Sequence, residues 1–285
     1  MRAVVITGVS TGIGYASATE LCRRGYRVFG SVRNADQAER LQREWGAVFT
    51  PLLFDVTDVD AVKEAAAQVK SALGDDGLSG LVNNAGISKP GPLSVQSPDI
   101  VRQHFEVNVI GVLHAVQAFL PLLRCAKGTS SPPGRIVNIS SVSGRIAYPF
   151  MGAYAASKHA LEALSDSLRR EMLIYGVDVI VIEPASVDTP IWDKAAYIRT
   201  AFQGTDYGPI LQGVDLQDTR RNALPVTAVT RRVVEALERR RPKARYVVPD
   251  HLIKYWLIPR MLPDRWLDRI IDRMLNFQRI RDDLE

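Results

Sequence analysis

Tyr154 and Lys158 are the residues of this 285-residue chain whose types and spacing most clearly suggest chemistry. They lie four positions apart in a segment with a helical pattern, so both side chains should project from one helix face about one turn apart. A phenol with a pKa of about 10 is a poor acid or base at neutral pH, but a cation within ~4–6 Å favours the phenolate. The pair could therefore exchange a proton with a carbonyl or an alcohol, although the spacing alone is equally typical of a surface contact.

Two further polar residues stand in apolar surroundings. Ser141 follows the buried-strand pattern Ile136–Ile139, where a hydroxyl can bind and position a substrate oxygen. Asn108 lies within an otherwise apolar helical pattern and needs a hydrogen-bond partner. It could hold a water that links Lys158 to solvent.

A glycine-rich turn, Thr7-Gly8-Val9-Ser10-Thr11-Gly12-Ile13-Gly14, joins the first strand pattern to the first helical pattern. Glycines are needed where the backbone turns sharply or approaches a pyrophosphate, and the amides at a helix N-terminus bind phosphate. The turn therefore predicts a dinucleotide site, with packing alone as the alternative. The expected contacts are Gly8, Ser10, Thr11, Gly12, Ile13 and Gly14.

The ends of the next strand patterns should border the same crevice, because ligands bind at the carboxyl ends of parallel strands. The second strand pattern ends in Val32-Arg33, with no acid to bind a ribose. A guanidinium can bind a 2′-phosphate, so the predicted cofactor is NADP(H), with NAD(H) as the second option and an ordinary surface arginine as the alternative interpretation. The other expected contacts are Asp55, Val56, Asn83, Ala85 and Gly86. Asp55 could equally cap a helix or anchor a turn, and Asn83 could be a turn residue.

Short β-branched runs alternate with helical patterns along most of the chain. This alternation predicts an α/β fold with a doubly wound, mostly parallel, seven-stranded sheet and helices on both faces. The predicted strands are Ala3–Thr7, Arg27–Val32, Val48–Phe54, Gly80–Val82, Arg135–Ile139, Val177–Ile182 and Arg245–Val248. Helical patterns lie near 12–24, 36–45, 58–73, 97–126, 152–175 and 227–239.

These motifs, in this order, resemble the short-chain dehydrogenase/reductase family, which has a Rossmann sheet. The glycine turn at 7–14, Asn-Asn-Ala-Gly at 83–86, Asn108, Ser141, Tyr154 and Lys158 carry the likeness, over about residues 1–250. The resemblance implies that Tyr154 is the acid/base and that Lys158 lowers its pKa and binds the nicotinamide ribose. It also implies that Ser141, rather than Ser140, orients the reacting oxygen and that Asn108 completes a proton relay. Nicotinamide contacts are expected from Pro184, Val187 and Thr189, although the family's usual Pro-Gly is Pro184-Ala185 here.

We expect one dinucleotide-binding and catalytic domain over 1–250 and a helical C-terminal extension over 251–285 that packs on it. Residues 188–226 combine Pro and Gly with apolar residues such as Trp192 and Tyr207, which favours a substrate lid over a peripheral loop. Residues 266–275 form an amphipathic helical pattern that could pack on its own domain or a second subunit, close over a lipophilic substrate, or lie on a membrane surface. The family resemblance implies a homodimer or homotetramer.

Composition excludes several classes of protein. Cys22 and Cys125 have no paired spacing, which argues against a disulfide scaffold or a zinc cluster, and no metal is expected. Basic and acidic residues alternate in the C-terminal region, which argues against nucleic acid. We find no signal peptide pattern and no apolar run of ~18 residues, so we expect a cytoplasmic protein.

The predicted function is an NADP(H)-dependent oxidoreductase that interconverts an alcohol and its carbonyl. The apolar lid and tail, and the layout of family members acting on steroids and retinoids, favour a bulky hydrophobic small-molecule substrate. A 3-oxoacyl thioester or a small xenobiotic carbonyl is the alternative substrate. A non-catalytic NADP-binding sensor and a membrane-anchored scaffold are the alternatives from other classes.

Overall fold

A computed structural model describes residues 1–124, 132–190, 197–213, 223–248 and 258–284. Within these ranges, seven strands form one parallel sheet in the order β3-β2-β1-β4-β5-β6-β7. The strands are β1 (Ala3–Ile6), β2 (Arg27–Val32), β3 (Phe49–Leu53), β4 (Gly80–Asn83), β5 (Arg135–Ile139), β6 (Asp178–Pro184) and β7 (Arg245–Val248). The predicted sheet is confirmed, and the chain reverses its direction of winding between β1 and β4, where a crevice opens at the carboxyl ends of the strands.

Helices cover both faces of the sheet, as predicted. They are α1 (Gly12–Arg23), α2 (Ala35–Trp45), α3 (Val59–Leu73), α4 (Pro98–Phe105), α5 (Gly111–Leu123), α6 (Gly152–Glu171), α7 (Ile198–Ala201), α8 (Gly208–Gly213), α9 (Val226–Glu238), α10 (Ile258–Met261), α11 (Asp264–Leu275) and α12 (Phe277–Leu284). On one face, α1, α2 and α9 bury apolar side chains such as Leu21 and Val233. On the other, α3, α5 and α6 bury residues such as Phe119 and Leu161. The continuous apolar strand patterns arise because the sheet is buried on both sides.

The helical pattern over 97–126 is not a single regular helix. A π-helical turn over Glu106–Ile110 separates α4 from α5, and the last two residues of the predicted span lie outside the described residues. By length and apolar composition the continuous run Pro98–Leu123 could span a membrane, but Val112, Val116 and Phe119 pack against the sheet. This is the behaviour of a core helix.

The predicted lid and tail are only partly described. Within 188–226, the structure contains the short helices α7 and α8, each with one buried apolar side chain, Ile198 and Leu211. Trp192 and the tail residues Leu252, Ile253, Trp256 and Leu257 lie outside the described residues. The amphipathic pattern at 266–275 forms α11, as predicted.

Candidate active site

The glycine-rich turn forms a tight cradle between β1 and α1. Gly12 has a φ of 61°, a left-handed conformation that side chains rarely adopt. A Cβ atom on Gly14 would lie 2.2 Å from the carbonyl oxygen of Gly8 and 2.4 Å from Nδ2 of Asn84. Only glycine fits there, so the turn keeps open the space into which a pyrophosphate would fit.

Thr7 and Asn84 hold this cradle in place. Asn84 Nδ2 donates to the carbonyl oxygens of Thr7 and Gly8, both at 2.9 Å. Thr7 Oγ1 accepts hydrogen bonds from the backbone amides of Asn84 at 3.0 Å and Ala85 at 2.9 Å. The ends of β1 and β4 are thereby joined, which brings the predicted residues Gly8 and Ala85 into contact.

The N-terminus of α1 is free to bind an anion. Thr11, its N-cap, makes no side-chain cap hydrogen bond, and the first turn contains no acidic residue. The first amides of a helix have no partner within the helix, and together with the helix dipole they favour phosphate. A Cβ atom on Gly12 would lie 3.3 Å from Cγ2 of Thr189, so the segment after β6 also borders the cradle.

At the end of β2, Arg33 is an exposed side chain, 67% accessible, with its guanidinium 3.9 Å from Asp55. Asp55 Oδ1 accepts hydrogen bonds from the backbone amide and the hydroxyl of Thr57, so it anchors a turn, while Asp58 caps α3. Arg40 from α2 donates to the carbonyl oxygen of Ser10 at 3.1 Å. Two guanidinium groups, only one of them predicted, therefore lie near the end of β2 and the glycine-rich turn.

Tyr154, Lys158 and Ser141 come together at the other end of the crevice. Lys158 Nζ lies 5.7 Å from the centroid of the Tyr154 ring and donates to the carbonyl oxygen of Ile139 at 2.8 Å. The Ser141 hydroxyl is hydrogen-bonded to the Tyr154 phenol and lies 3.4 Å from the carbonyl oxygen of Pro184. A Cβ atom on Gly86 would lie 3.9 Å from Lys158 Nζ, so these three side chains adjoin the Asn-Asn-Ala-Gly segment.

Burial is the largest influence on the pKa values of Tyr154 and Lys158. It raises the pKa of Tyr154 above its usual value, and the hydrogen bond from Ser141 partly offsets the rise. Burial lowers the pKa of Lys158 to about 8, against the opposing effect of the Glu162 carboxylate. The phenol is thus protonated at neutral pH. The lowering by Lys158 that the family resemblance implies is not the leading influence on it.

Asn108 lies in the π-helical turn, and its side chain is fully buried. Its Nδ2 donates to the carbonyl oxygen of Ile87 at 3.0 Å and to Oγ of Ser157 at 2.9 Å, and its Oδ1 accepts from the amide of Ile87 at 2.9 Å. Ser157 in turn donates to the carbonyl oxygen of Tyr154 at 2.7 Å. The side chain therefore joins the segment after β4 to the helix that bears Tyr154 and Lys158.

Three other predicted residues, Asn83, Val56 and Val187, have buried side chains. The side chain of Asn83 lies inside the sheet, where Nδ2 donates to Oδ1 of Asn138 at 2.8 Å. Val56 is buried against Gly111, and Val187 is buried and forms a bridge with Leu224. Sequence reasoning did not single out Thr7, Ser157 or Arg40 as site residues, because their roles depend on contacts between distant elements.

A doubly wound sheet with a glycine cradle at its switch point defines a dinucleotide-binding fold. The open cradle, the free N-terminus of α1 and the basic group at the end of β2 fit a nicotinamide dinucleotide. A family model described as short chain dehydrogenase matches residues 2–197. The chain belongs to this family of oxidoreductases, as its motifs predict.

Individual relatives resemble nearly the whole chain. An NADPH-dependent 3-dehydrocapnine reductase from Ornithobacterium rhinotracheale is 40% identical over 272 residues, covering 95% of this chain and 96% of the relative. Retinol dehydrogenase 5 of Mus musculus is 35% identical over 288 residues, covering 95% of this chain and 88% of the relative. A solved short chain dehydrogenase from Burkholderia cenocepacia J2315, in complex with NADP, has a TM-score of 0.66 at 26% identity, covering 87% of this chain and 90% of that one. The predicted likeness to retinol dehydrogenases is confirmed.

Proposed function

We propose that this enzyme uses NADP(H) to interconvert a bulky hydrophobic alcohol and its carbonyl, with Tyr154 as the acid/base. One observation carries the proposal: the Tyr154 phenol is hydrogen-bonded to Ser141 and beside Lys158, and Lys158 lies close to Gly86 of the segment that holds the glycine cradle. A proton donor, an oxygen-binding hydroxyl and a dinucleotide site are the parts that carbonyl reduction needs.

Each residue has a role that follows from its contacts. Ser141 binds the carbonyl oxygen and keeps it near the phenol. Tyr154 is protonated at neutral pH because burial raises its pKa, so its O–H donates the proton to that oxygen during reduction. A bound NADPH supplies the hydride to the carbonyl carbon. The Lys158 ammonium stabilises the phenolate left behind, and Asn108 keeps the helix bearing both residues in position.

The cofactor preference rests on charge and on relatives. Arg33 places an exposed guanidinium where a 2′-phosphate would bind, and no acid precedes it to bind a ribose. The 3-dehydrocapnine reductase is NADPH-dependent and the solved relative from Burkholderia holds NADP. NADP(H) is therefore the proposed cofactor, with NAD(H) used less well.

The hydrophobic substrate is supported by apolar side chains near the reaction centre and by the retinol dehydrogenase relative. Leu93, Phe150 and Tyr207 line a cavity beside the segment that joins Ser141 to Tyr154. Residues 188–226, which include Tyr207, act as the lid of this catalytic domain. A cytoplasmic homodimer or homotetramer is the proposed state.

Peripheral membrane contact through α11 is also part of the proposal. Trp266, Ile270 and Met274 are 59%, 44% and 75% exposed on its outer face. An amphipathic helix with such a face can lie in a lipid interface. Co-sedimentation with phosphatidylcholine vesicles that disappears when the chain is truncated after Pro249 supports this contact, and absence of co-sedimentation excludes it.

The test of the function is replacement of Tyr154 by Phe. NADPH oxidation is followed with all-trans-retinal, a 3-oxosteroid and a long-chain alkyl ketone as substrates. A positioned general acid contributes roughly 10²–10⁴ in rate, so Tyr154→Phe should lose at least about a hundredfold in kcat while NADPH still binds. Tyr175→Phe, remote from the crevice, is the matched control. Undiminished turnover in Tyr154→Phe contradicts the mechanism.

A further inference from the structure

A cavity of about 980 Å³ lies between the catalytic domain and the C-terminal helices. This volume is at the upper end of the range for small-molecule sites, roughly 300–1,000 Å³. One wall consists of loop residues before α4 and α6 together with Tyr207, and the other consists of residues of α11 and α12. The two walls differ in chemistry, and the difference identifies what the cavity binds.

The wall from the catalytic domain is mainly apolar and lies beside the segment that joins Ser141 to Tyr154. It includes Phe150 and Gly152, which lie in the chain between Ser141 and Tyr154. The amide of Gly91 donates to the carbonyl oxygen of Phe150 at 2.7 Å, and the Phe150 and Tyr207 rings pack edge to face at 5.9 Å. Phe150 has a φ of 67°, a left-handed conformation that bulky side chains rarely adopt and that occurs at ligand sites.

The opposite wall is mixed, because Ile271 and Phe277 lie in it beside five charged residues. It contains three arginines and two aspartates, which leaves one positive charge in excess: Arg265, Asp268, Arg269, Asp272 and Arg281. Arg265 pairs with Asp268 at 3.6 Å, and Arg281 with Asp272 at 3.0 Å. Arg269 makes no ion pair or hydrogen bond within the part of the chain that the structure describes. Arg269 lines the cavity, so its guanidinium is available to a ligand there.

The face of α11 that borders the cavity combines charged and apolar residues. A surface helix usually packs its apolar stripe on the core and turns its charges to solvent. In α11, Arg265 and Arg269 border the cavity together with Ile271, while Trp266, Ile270 and Met274 are exposed. A ligand with both an apolar part and an acidic group would match this mixed face.

We infer that the substrate is an amphiphile whose apolar chain lies against Leu93, Phe150 and Tyr207 and whose acidic group binds Arg269. This inference rests on the proposed function, since it identifies the substrate class of the same enzyme. A carboxylate, sulfonate or phosphate accepts charge-assisted hydrogen bonds from a guanidinium. A wholly apolar substrate would cover Arg269 without offering it a partner, which is unfavourable.

The experiment compares oxotetradecanoic acids, with the keto group at several positions, with their methyl esters. The ester keeps the chain and the ketone but removes the charge. For at least one keto position, wild-type kcat/KM should be roughly tenfold higher for the acid than for its ester, as one charge-assisted hydrogen bond provides. Arg269→Gln should remove this preference by lowering kcat/KM for the acid only. Arg269→Glu should reverse it.

Arg273→Gln, on the same helix but outside the cavity wall, is the matched control and should keep the preference. Equal use of acid and ester by the wild type at every keto position overturns the inference, as does an equal loss for both substrates in Arg269→Gln. Failure to reduce either series also overturns it. Ester reduction that depends on Tyr154 but shows no acid preference leaves the proposed function standing and removes only the inference.

Discussion

Lys158 and Glu162, both buried, lie one helical turn apart on α6. The Glu162 carboxylate opposes the effect of burial on the pKa of Lys158, which is about 8. Glu162 also accepts hydrogen bonds from Arg145, which follows Ser141, and from Arg245 of β7. The charge of Lys158 therefore depends on a carboxylate that joins α6, the segment after Ser141 and β7.

This relationship predicts a pH limit on reduction. Lys158 is charged below its pKa of about 8 and loses its proton as the pH rises through that value. If the ammonium is needed, kcat/KM should be level at neutral pH and fall above about pH 8, because kcat/KM reports the free enzyme. Initial rates of NADPH oxidation in overlapping buffers give the profile. A level profile to pH 10 would show that the charge of Lys158 is not required.

Glu162→Gln should move this alkaline limb to lower pH. Removing the carboxylate takes away an influence that raises the pKa of Lys158, and burial then acts with less opposition. Arg145, in the segment after Ser141, and Arg245 of β7 both face Glu162. Their positive charges also lower the pKa of Lys158. Glu171→Gln, exposed at the end of the same helix, is the control and should leave the limb in place. If the alkaline limb stays in place in Glu162→Gln, the carboxylate does not influence the pKa of Lys158.

Glu162→Gln should also destabilise the fold. The carboxylate is 3% exposed and lies 3.0 Å from both Arg145 and Arg245, whose guanidinium groups are about three-quarters buried. Breaking a buried ion pair on one side costs about 3–5 kcal/mol, but here Glu183 still pairs with both arginines and Asp166 with Arg245, so we expect a smaller loss. Urea unfolding measures the loss, with Asp99→Asn, whose pair with Arg102 is on the surface, as the neutral comparison. Similar curves for the two variants would refute a stabilising role for the network.

Gly14→Ala should abolish tight nucleotide binding. The added methyl group would lie 2.2 Å from the carbonyl oxygen of Gly8, so the cradle must open. The gain in helix propensity, at most about 1 kcal/mol, is smaller than the roughly 1–3 kcal/mol of overpacking. NADPH affinity, measured by fluorescence titration, should fall more than tenfold, whereas Gly204→Ala, with open space around it, should change nothing. Unchanged affinity in Gly14→Ala would place the nucleotide elsewhere.

Arg33→Ala should weaken NADP binding without weakening NAD binding. The guanidinium of Arg33 is exposed and only loosely paired with Asp55 at 3.9 Å, so it can reach a 2′-phosphate. We expect roughly a tenfold rise in Kd for NADP and a change of less than about twofold for NAD. Arg43→Ala, on the exposed part of α2, is the control. A wild-type preference for NAD would refute the assignment.

Local sequence patterns were sufficient to predict the sheet and to locate the motifs. Each predicted strand is observed, because strands buried on both faces have nearly continuous apolar runs. The helical pattern over 97–126 did not reveal the π-helical turn, because apolar residues run through it from Val107 to Val112. That turn contains Asn108, whose partners Ile87 and Ser157 come from other segments. Such partners have no signal in a single sequence.

By itself, the sequence determined the architecture and the family and selected the candidate reacting side chains, because periodicity, glycine placement and motif order are local properties. Only the tertiary structure decided the pKa values of those side chains and the contacts around them. The network of Glu162, the cradle contacts of Thr7 and Asn84, and the unpaired Arg269 depend on which distant elements pack together. Burial and neighbouring charges set a pKa, and neither can be read from residue spacing.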